Sequence, residues 1–186
     1  MKISNLKIYD LQESIIASGY PMQVEDKETD YLKDTERAIK LAKTEIGTGH
    51  NNWLKGVRVS FDLQISQLML IQLLRYNFID IVSSQSKMHR ITKFDIENNM
   101  NEFVTEKSIE YLNFLIQEYN EEQTKENYQR VLYNTPLGFE LKMRVSTNYL
   151  QLKTIIKQRS EHKLDEWKEF CEYMLNNLPL AKDFLV

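Results

Sequence analysis

A single cysteine, Cys171, stands in 186 residues, which excludes an intramolecular disulfide framework and points to a reducing compartment. Glycine and proline are scarce too, five and three, so flexible linkers have little to be made from and one domain over 1–186 is expected. No apolar run approaches the roughly 20 residues that span a bilayer. The longest, "LMLIQLL", contains Gln72 and stops at Arg75, so no membrane partner is expected. There is no basic excess: the net charge of −3 and pI of about 5.7 argue against a nucleic-acid partner. The start, "MKISNLKIYD", lacks the apolar stretch of a secretory signal, and a cytoplasmic location is expected. The three histidines, His50, His89 and His162, have no cysteine or carboxylate neighbours at ligand spacing, so no metal is expected. Neither a Gly-x-Gly-x-x-Gly turn nor a Walker loop is present, which removes both standard nucleotide-phosphate cradles.

What remains is a chain that is 42% hydrophobic and 11% aromatic, enough for a substantial core. "KISNLKIYDL" predicts a strand, with Asp10 and Glu13 spaced as a capping pair for a helix that Gly19-Tyr20-Pro21 ends. From Asp30 to Ile46, Leu32, Ile39, Ala42 and Ile46 fall on one helical face, with Gly47 as the stop. In "GVRVSFDLQIS" the residues Val57, Val59, Phe61, Leu63 and Ile65 alternate with polar ones, the period of a half-buried strand. A helix buried on most sides is expected from Leu68 to Ile81. Further helices are predicted around Ile109–Tyr119 and in "TKENYQRVLY". Alternation returns at Leu137, Phe139, Leu141, Met143 and Val145, followed by helical "NYLQLKTIIKQR". The last helix carries Leu164, Trp167, Cys171, Met174 and Leu178 on one stripe. The fold class is α+β, with long antiparallel strands covered by helices.

Chemistry is concentrated in few places. Gln72 and Arg75 are three apart and so share a helix side. A buried guanidinium needs a partner; either a planar polar ligand such as a pyrimidine or a core acid, Asp80 or Asp62, would serve. "SSQSKMHR" gathers hydroxyls, an amide and cations within eight residues, a phosphate cradle or an ordinary polar loop. Arg130 and Arg159 are further candidate anion partners on separate segments. Cys171 lies on an apolar stripe, the position of an inert core thiol rather than a nucleophile.

In sequence order, "GTGHNNWLKGVRVSFDLQIS", "QLLRYN" and "FIDIVSSQSKMHR" resemble the flavin-dependent thymidylate synthases, ThyX. That family has a Gly-His pair, a Phe-rich alternating strand, a Gln-x-x-Arg helix and a signature of Arg-His-Arg, seven residues, then Ser. Arg130, Pro136, Asn148 and Arg159 follow the order of the family's C-terminal half. The resemblance implies a ThyX-like fold and reductive methylation of dUMP to dTMP, with FAD as cofactor and NADPH and methylenetetrahydrofolate as co-substrates. It also implies a homotetramer with shared sites. It places dUMP at Gln72, Arg75, Ser84, Gln85, Ser86, Lys87, Arg90, Arg130 and Arg159, with Arg75, Arg159 and Ser86 in catalytic roles. FAD contacts fall at His50, Asn51, Tyr76, Asn77 and Asn148. On this reading Arg75 is buried because its partner is a nucleotide. The departures are specific: the signature's His and second Arg are Tyr76 and Asn77, its serine falls at Gln85 or Ser86, and Lys55 and Gly56 stand where an acid follows the Gly-His pair. A related C5 hydroxymethyl transfer and a non-catalytic nucleotide- or protein-binding relative are the alternatives.

Overall fold

The two alternating stretches form the centre of an antiparallel sheet because their odd-numbered residues bury one continuous apolar face. In the computed structural model, which describes residues 1–25 and 28–186, the chain runs β1 (Lys2–Tyr9), α1 (Leu11–Ala17), α2 (Tyr31–Ala42), β2 (Arg58–Ser66), α3 (Gln67–Leu73) and β3 (Asp80–Ser84). It continues through α4 (Lys87–Arg90), α5 (Glu106–Glu121), α6 (Lys125–Tyr133), β4 (Glu140–Asn148), α7 (Tyr149–Arg159), α8 (Asp165–Asn177) and α9 (Ala181–Phe184). The sheet order is β1-β2-β4-β3, with every neighbouring pair antiparallel. β2 and β4 pair without interruption from Arg58–Asn148 to Ser66–Glu140. Both outer strands break register, β1 between Ser4 and Lys7 and β3 between Ile81 and Ser83. At the first break Asn5 has φ 51°, and Arg144 Nη1 donates to its carbonyl across 2.9 Å.

Val57, Val59, Phe61, Leu63 and Ile65 are fully buried, facing Trp167, Phe170, Cys171 and Met174 of α8 and the apolar residues of α7. Each such large side chain contributes about 1.5–3 kcal/mol relative to exposure. A second cluster joins Phe139 and Leu141 to Leu112 and Leu115 of α5 and Val131 of α6.

Three local expectations are corrected. Asp10 adopts φ 58° and makes no side-chain cap; the hydrogen bond from Ser14 N to its carbonyl still opens α1. α2 stops at Ala42, and Leu32 is 77% exposed because the buried seam of this helix is Ala38 and Ala42. The apolar run after residue 67 is not one buried helix. α3 closes at Leu73, where Arg75 N and Tyr76 N turn back to Gln72 O and Leu73 O in tightened i→i−3 bonds. The chain then adds β3 to the open edge of β4. Leu68, Ile71, Leu74 and Phe78 are exposed.

Candidate functional site

β2 passes directly into α3, and the joint is pinned. Ser66 Oγ accepts from Met69 N at 3.1 Å, capping the helix. The same residue donates its N–H to Glu166 Oε1 at 2.9 Å and its hydroxyl to Glu166 Oε2. Ser66 and Glu166 are both buried. α8 is thereby fixed against α3, and the next residue of α8, Trp167, donates its Nε1 to Gln72 Oε1 at 3.0 Å.

Just past α3, Tyr76 packs edge-on to Trp167, with ring centroids 5.9 Å apart. Its hydroxyl accepts from Arg159 Nε at 2.8 Å and donates to Gln158 Oε1 at 3.0 Å. The Arg159 guanidinium carbon lies 5.0 Å from the Trp167 ring centroid and 5.6 Å from that of Tyr76. His162 closes the group, 6.5 Å from Trp167 by ring centroids. Its Nδ1 accepts from Leu164 N, and burial followed by the nearby Arg159 and Lys168 charges holds its pKa below the usual histidine range. Gln72, Tyr76 and Arg159 are thus brought together, with Trp167 at the centre.

Arg75 is not buried, contrary to expectation; it lies in the exposed turn that follows α3, and its guanidinium has no partner among the described residues. The core acids proposed for it are engaged elsewhere or free of it: Asp62 pairs with Arg144 at 3.1 Å and Lys142 at 3.6 Å. Asn77 is exposed. Thr147 Oγ1 donates to Phe78 O at 3.0 Å, so the 74–79 turn sits beside the start of α7. There Asn148 acts as the helix cap, accepting from Gln151 N at 3.0 Å. Asn51 is buried and donates Nδ2 to Thr44 O at 3.0 Å and Glu45 O at 3.4 Å, tying off the end of α2, while its Oδ1 has no partner. His50 is exposed.

The polar 83–90 stretch is no free loop. Ser83 and Ser84 belong to β3, and Gln85 extends the pairing: its N–H donates to Lys142 O and its Oε1 accepts from Lys142 N, both at 2.9 Å. Ser86 precedes α4 without a side-chain cap. α4 is fastened to α6, since Tyr128 Oη donates to Met88 O at 2.8 Å and Lys87 Nζ to Leu132 O at 3.4 Å. Burial lowers the Lys87 pKa. Arg130 on α6 lies 2.9 Å from Glu118 Oε2, close enough for an ion pair though not aligned as a hydrogen bond. Lys87, Arg90 and Arg130 therefore share the α4–α6 region. Among the described residues no hydrogen bond or ion pair joins that region to the Gln72–Tyr76–Arg159 cluster.

The sequence pattern placed Trp167 on a core stripe and gave no sign of its contact with Gln72, because the two are 95 positions apart. Among the described residues no group of three or more His, Cys, Asp or Glu is placed to hold a metal ion, and no helix is long and apolar enough to cross a membrane.

No family profile and no curated protein matches the sequence. Solved structures do. Flavin-dependent thymidylate synthase ThyX from Helicobacter pylori, complexed with FAD and dUMP, superposes with a TM-score of 0.80 at 18% identity, covering 100% of this chain and 97% of that one. A second structure of the same enzyme with FAD and dUMP gives 0.78 at 19%, with equal coverage. The chain has the fold of the flavin-dependent thymidylate synthases. The ThyX fold extends through every element described above, including β3 and α4, which sequence periodicity did not separate.

Of the residues implied for flavin, His50 and Asn77 carry free polar atoms, and Leu74 and Phe78 offer exposed apolar surface beside Asn77. Asn51, Tyr76 and Asn148 commit hydrogen-bonding atoms within the chain. Leu74, Asn77 and Phe78 together offer the mixed apolar and polar surface that an amphiphilic ring system needs.

Proposed function

We propose that the chain is a flavin-dependent thymidylate synthase, carrying out reductive methylation of dUMP to dTMP with methylenetetrahydrofolate and NADPH. The observation that carries this reading is a full-length ThyX fold in which Gln72 and Arg159 are drawn to one place while Arg159 has no carboxylate partner among the described residues. Bound FAD would relay reducing equivalents from NADPH to the transferred one-carbon unit. The chain's own contribution is binding, orientation and charge. Arg75 and Arg159 would stabilise negative charge developing on the pyrimidine, with Gln72 orienting the ring. Ser84, Gln85, Ser86, Lys87, Arg90 and Arg130 would serve the phosphate end. His50 and Asn77 would contact FAD, with Tyr76 and the Asn51 and Asn148 segments framing it.

A homotetramer suits this assignment. It would bring the α4–α6 cations of one copy to the Gln72–Arg159 cluster of another and cover the apolar residues that α3 and the following turn expose. The Tyr76 and Asn77 substitutions favour a second reading, a nucleotide-binding relative without the full redox cycle.

The test is to add FAD to the purified chain, remove the excess, and record the visible spectrum with and without dUMP. Retained flavin whose spectrum shifts with dUMP, and dTMP formed on adding the co-substrates, are expected. dUMP binding without retained flavin would leave the second reading, and no dUMP binding would overturn both. Arg75→Ala should abolish dUMP binding in a folded protein; unchanged affinity would remove that residue from the site.

A further inference from the structure

Trp167 Nε1 is only a donor, so the Gln72 atom it reaches at 3.0 Å must be the carbonyl oxygen. That fixes the amide: the Gln72 NH2 group is turned away from the indole and has no partner among the described residues. Arg159 is set in the same manner. Its Nε is spent on the Tyr76 hydroxyl at 2.8 Å, its plane lies within cation–π reach of Trp167 and Tyr76, and its terminal nitrogens have no partner. Tyr76 is itself oriented, because its hydroxyl proton goes to Gln158 Oε1. The result is a pair of side chains held in place that show a ligand hydrogen-bond donors and no acceptor. Holding them also removes rotamer freedom that a long Gln or Arg side chain, worth up to about 2 kcal/mol, would otherwise lose on binding.

We propose that Tyr76 and Trp167 are positioning residues that set Arg159 and Gln72 as a donor-only pair, selecting a pyrimidine with a 4-oxo group over one with a 4-amino group. This rests on the nucleotide reading above. Set at the 4-position, such a pair is satisfied by uracil O4, whereas the cytosine 4-amino group would meet it with donors and leave it unpaired; the 2-oxo group, common to both bases, discriminates nothing.

The experiment is calorimetric titration of the full chain, supplemented with FAD, with dUMP and with dCMP. Tyr76→Phe keeps the ring and removes only the oxygen that accepts from Arg159; dUMP affinity should fall about fivefold, the effect of one net hydrogen bond. The same substitution made on top of Arg159→Lys should change nothing further. Trp167→Phe frees the Gln72 amide to turn over and should narrow the dUMP-over-dCMP preference about tenfold. Melting curves confirm that each variant is folded, and Tyr76→Phe alone decides the Arg159 arm if Trp167→Phe does not fold. If the unaltered chain binds dCMP as tightly as dUMP, the selection is overturned; if Tyr76→Phe binds dUMP as tightly as the parent, or lowers the affinity equally in the Arg159→Lys background, the positioning role is overturned; in both cases the nucleotide reading stands. A chain that binds no dUMP overturns both.

Discussion

Glu166 makes the joint between β2, α3 and α8 testable. It is a buried carboxylate whose two oxygens take the backbone N–H and the hydroxyl of Ser66, and that hydroxyl oxygen in turn caps α3. In Glu166→Ala the Ser66 N–H loses its acceptor, at a cost of about 1–3 kcal/mol for a buried donor, and the hydroxyl loses an interaction worth about 1 kcal/mol. A cleft of about 420 Å³ that Glu166 helps to line admits water to the gap, which favours the lower part of that range. The expected loss is about 2–3 kcal/mol. For a chain of this length each kcal/mol lowers Tm by roughly 2–4 °C, so the melting point should fall by roughly 4–12 °C. Glu166→Gln keeps one oxygen as acceptor and removes a buried charge that no cation within ion-pair distance balances, so it should cost less than about 1.5 kcal/mol. Urea unfolding of the three proteins gives both numbers. Alanine within 1 kcal/mol of the parent, or glutamine as costly as alanine, would refute the claim that these hydrogen bonds hold the joint.

Two further outcomes follow from titratable groups. Burial pushes the Cys171 thiol up to about 11, so iodoacetamide at pH 8 should leave the native protein unlabelled and modify it only after unfolding; stoichiometric native labelling would contradict the core position of α8. His162 has a folded pKa below its unfolded value near 6.5, so the unfolded chain binds more protons in the window just below that value, and stability falls as pH drops through it. His162→Asn retains an oxygen able to accept from Leu164 N without titrating. The Tm advantage of the parent over this variant should therefore shrink between pH 7.5 and 5.5, and a constant or growing advantage would exclude the effect.

The two central strands could be read from sequence because period-two alternation over Val57–Ile65 and Phe139–Val145 records a sheet with one buried face. The last helix was equally plain, since Trp167, Cys171 and Met174 are spaced for one seam. β3 was not: Ile79, Ile81 and Val82 continue the apolar run of α3, and only pairing with β4 decides that they extend. Arg75 was misplaced for the same reason. The apolar run predicts a helix buried all round, whereas α3 ends at Leu73 and Arg75 stands in the exposed turn that follows. The fold-level resemblance was legible in the order of the quoted motifs, and the structure superposes on a ThyX fold although identity is only 18%. The link between Gln72 and Trp167 was not, because nothing local in either segment requires the other.

The interrupted outer strands have a consequence for solution behaviour. A flat, regular sheet edge is a template on which another chain can grow strand by strand. Here one edge is bent at Asn5 and held so by Arg144, and the other is a five-residue strand that loses register midway. Neither margin offers a long ladder of evenly spaced amides and carbonyls. Copies of this chain that meet in crowded solution are thereby steered away from fibre-like stacking and toward contacts made by side chains on the helices.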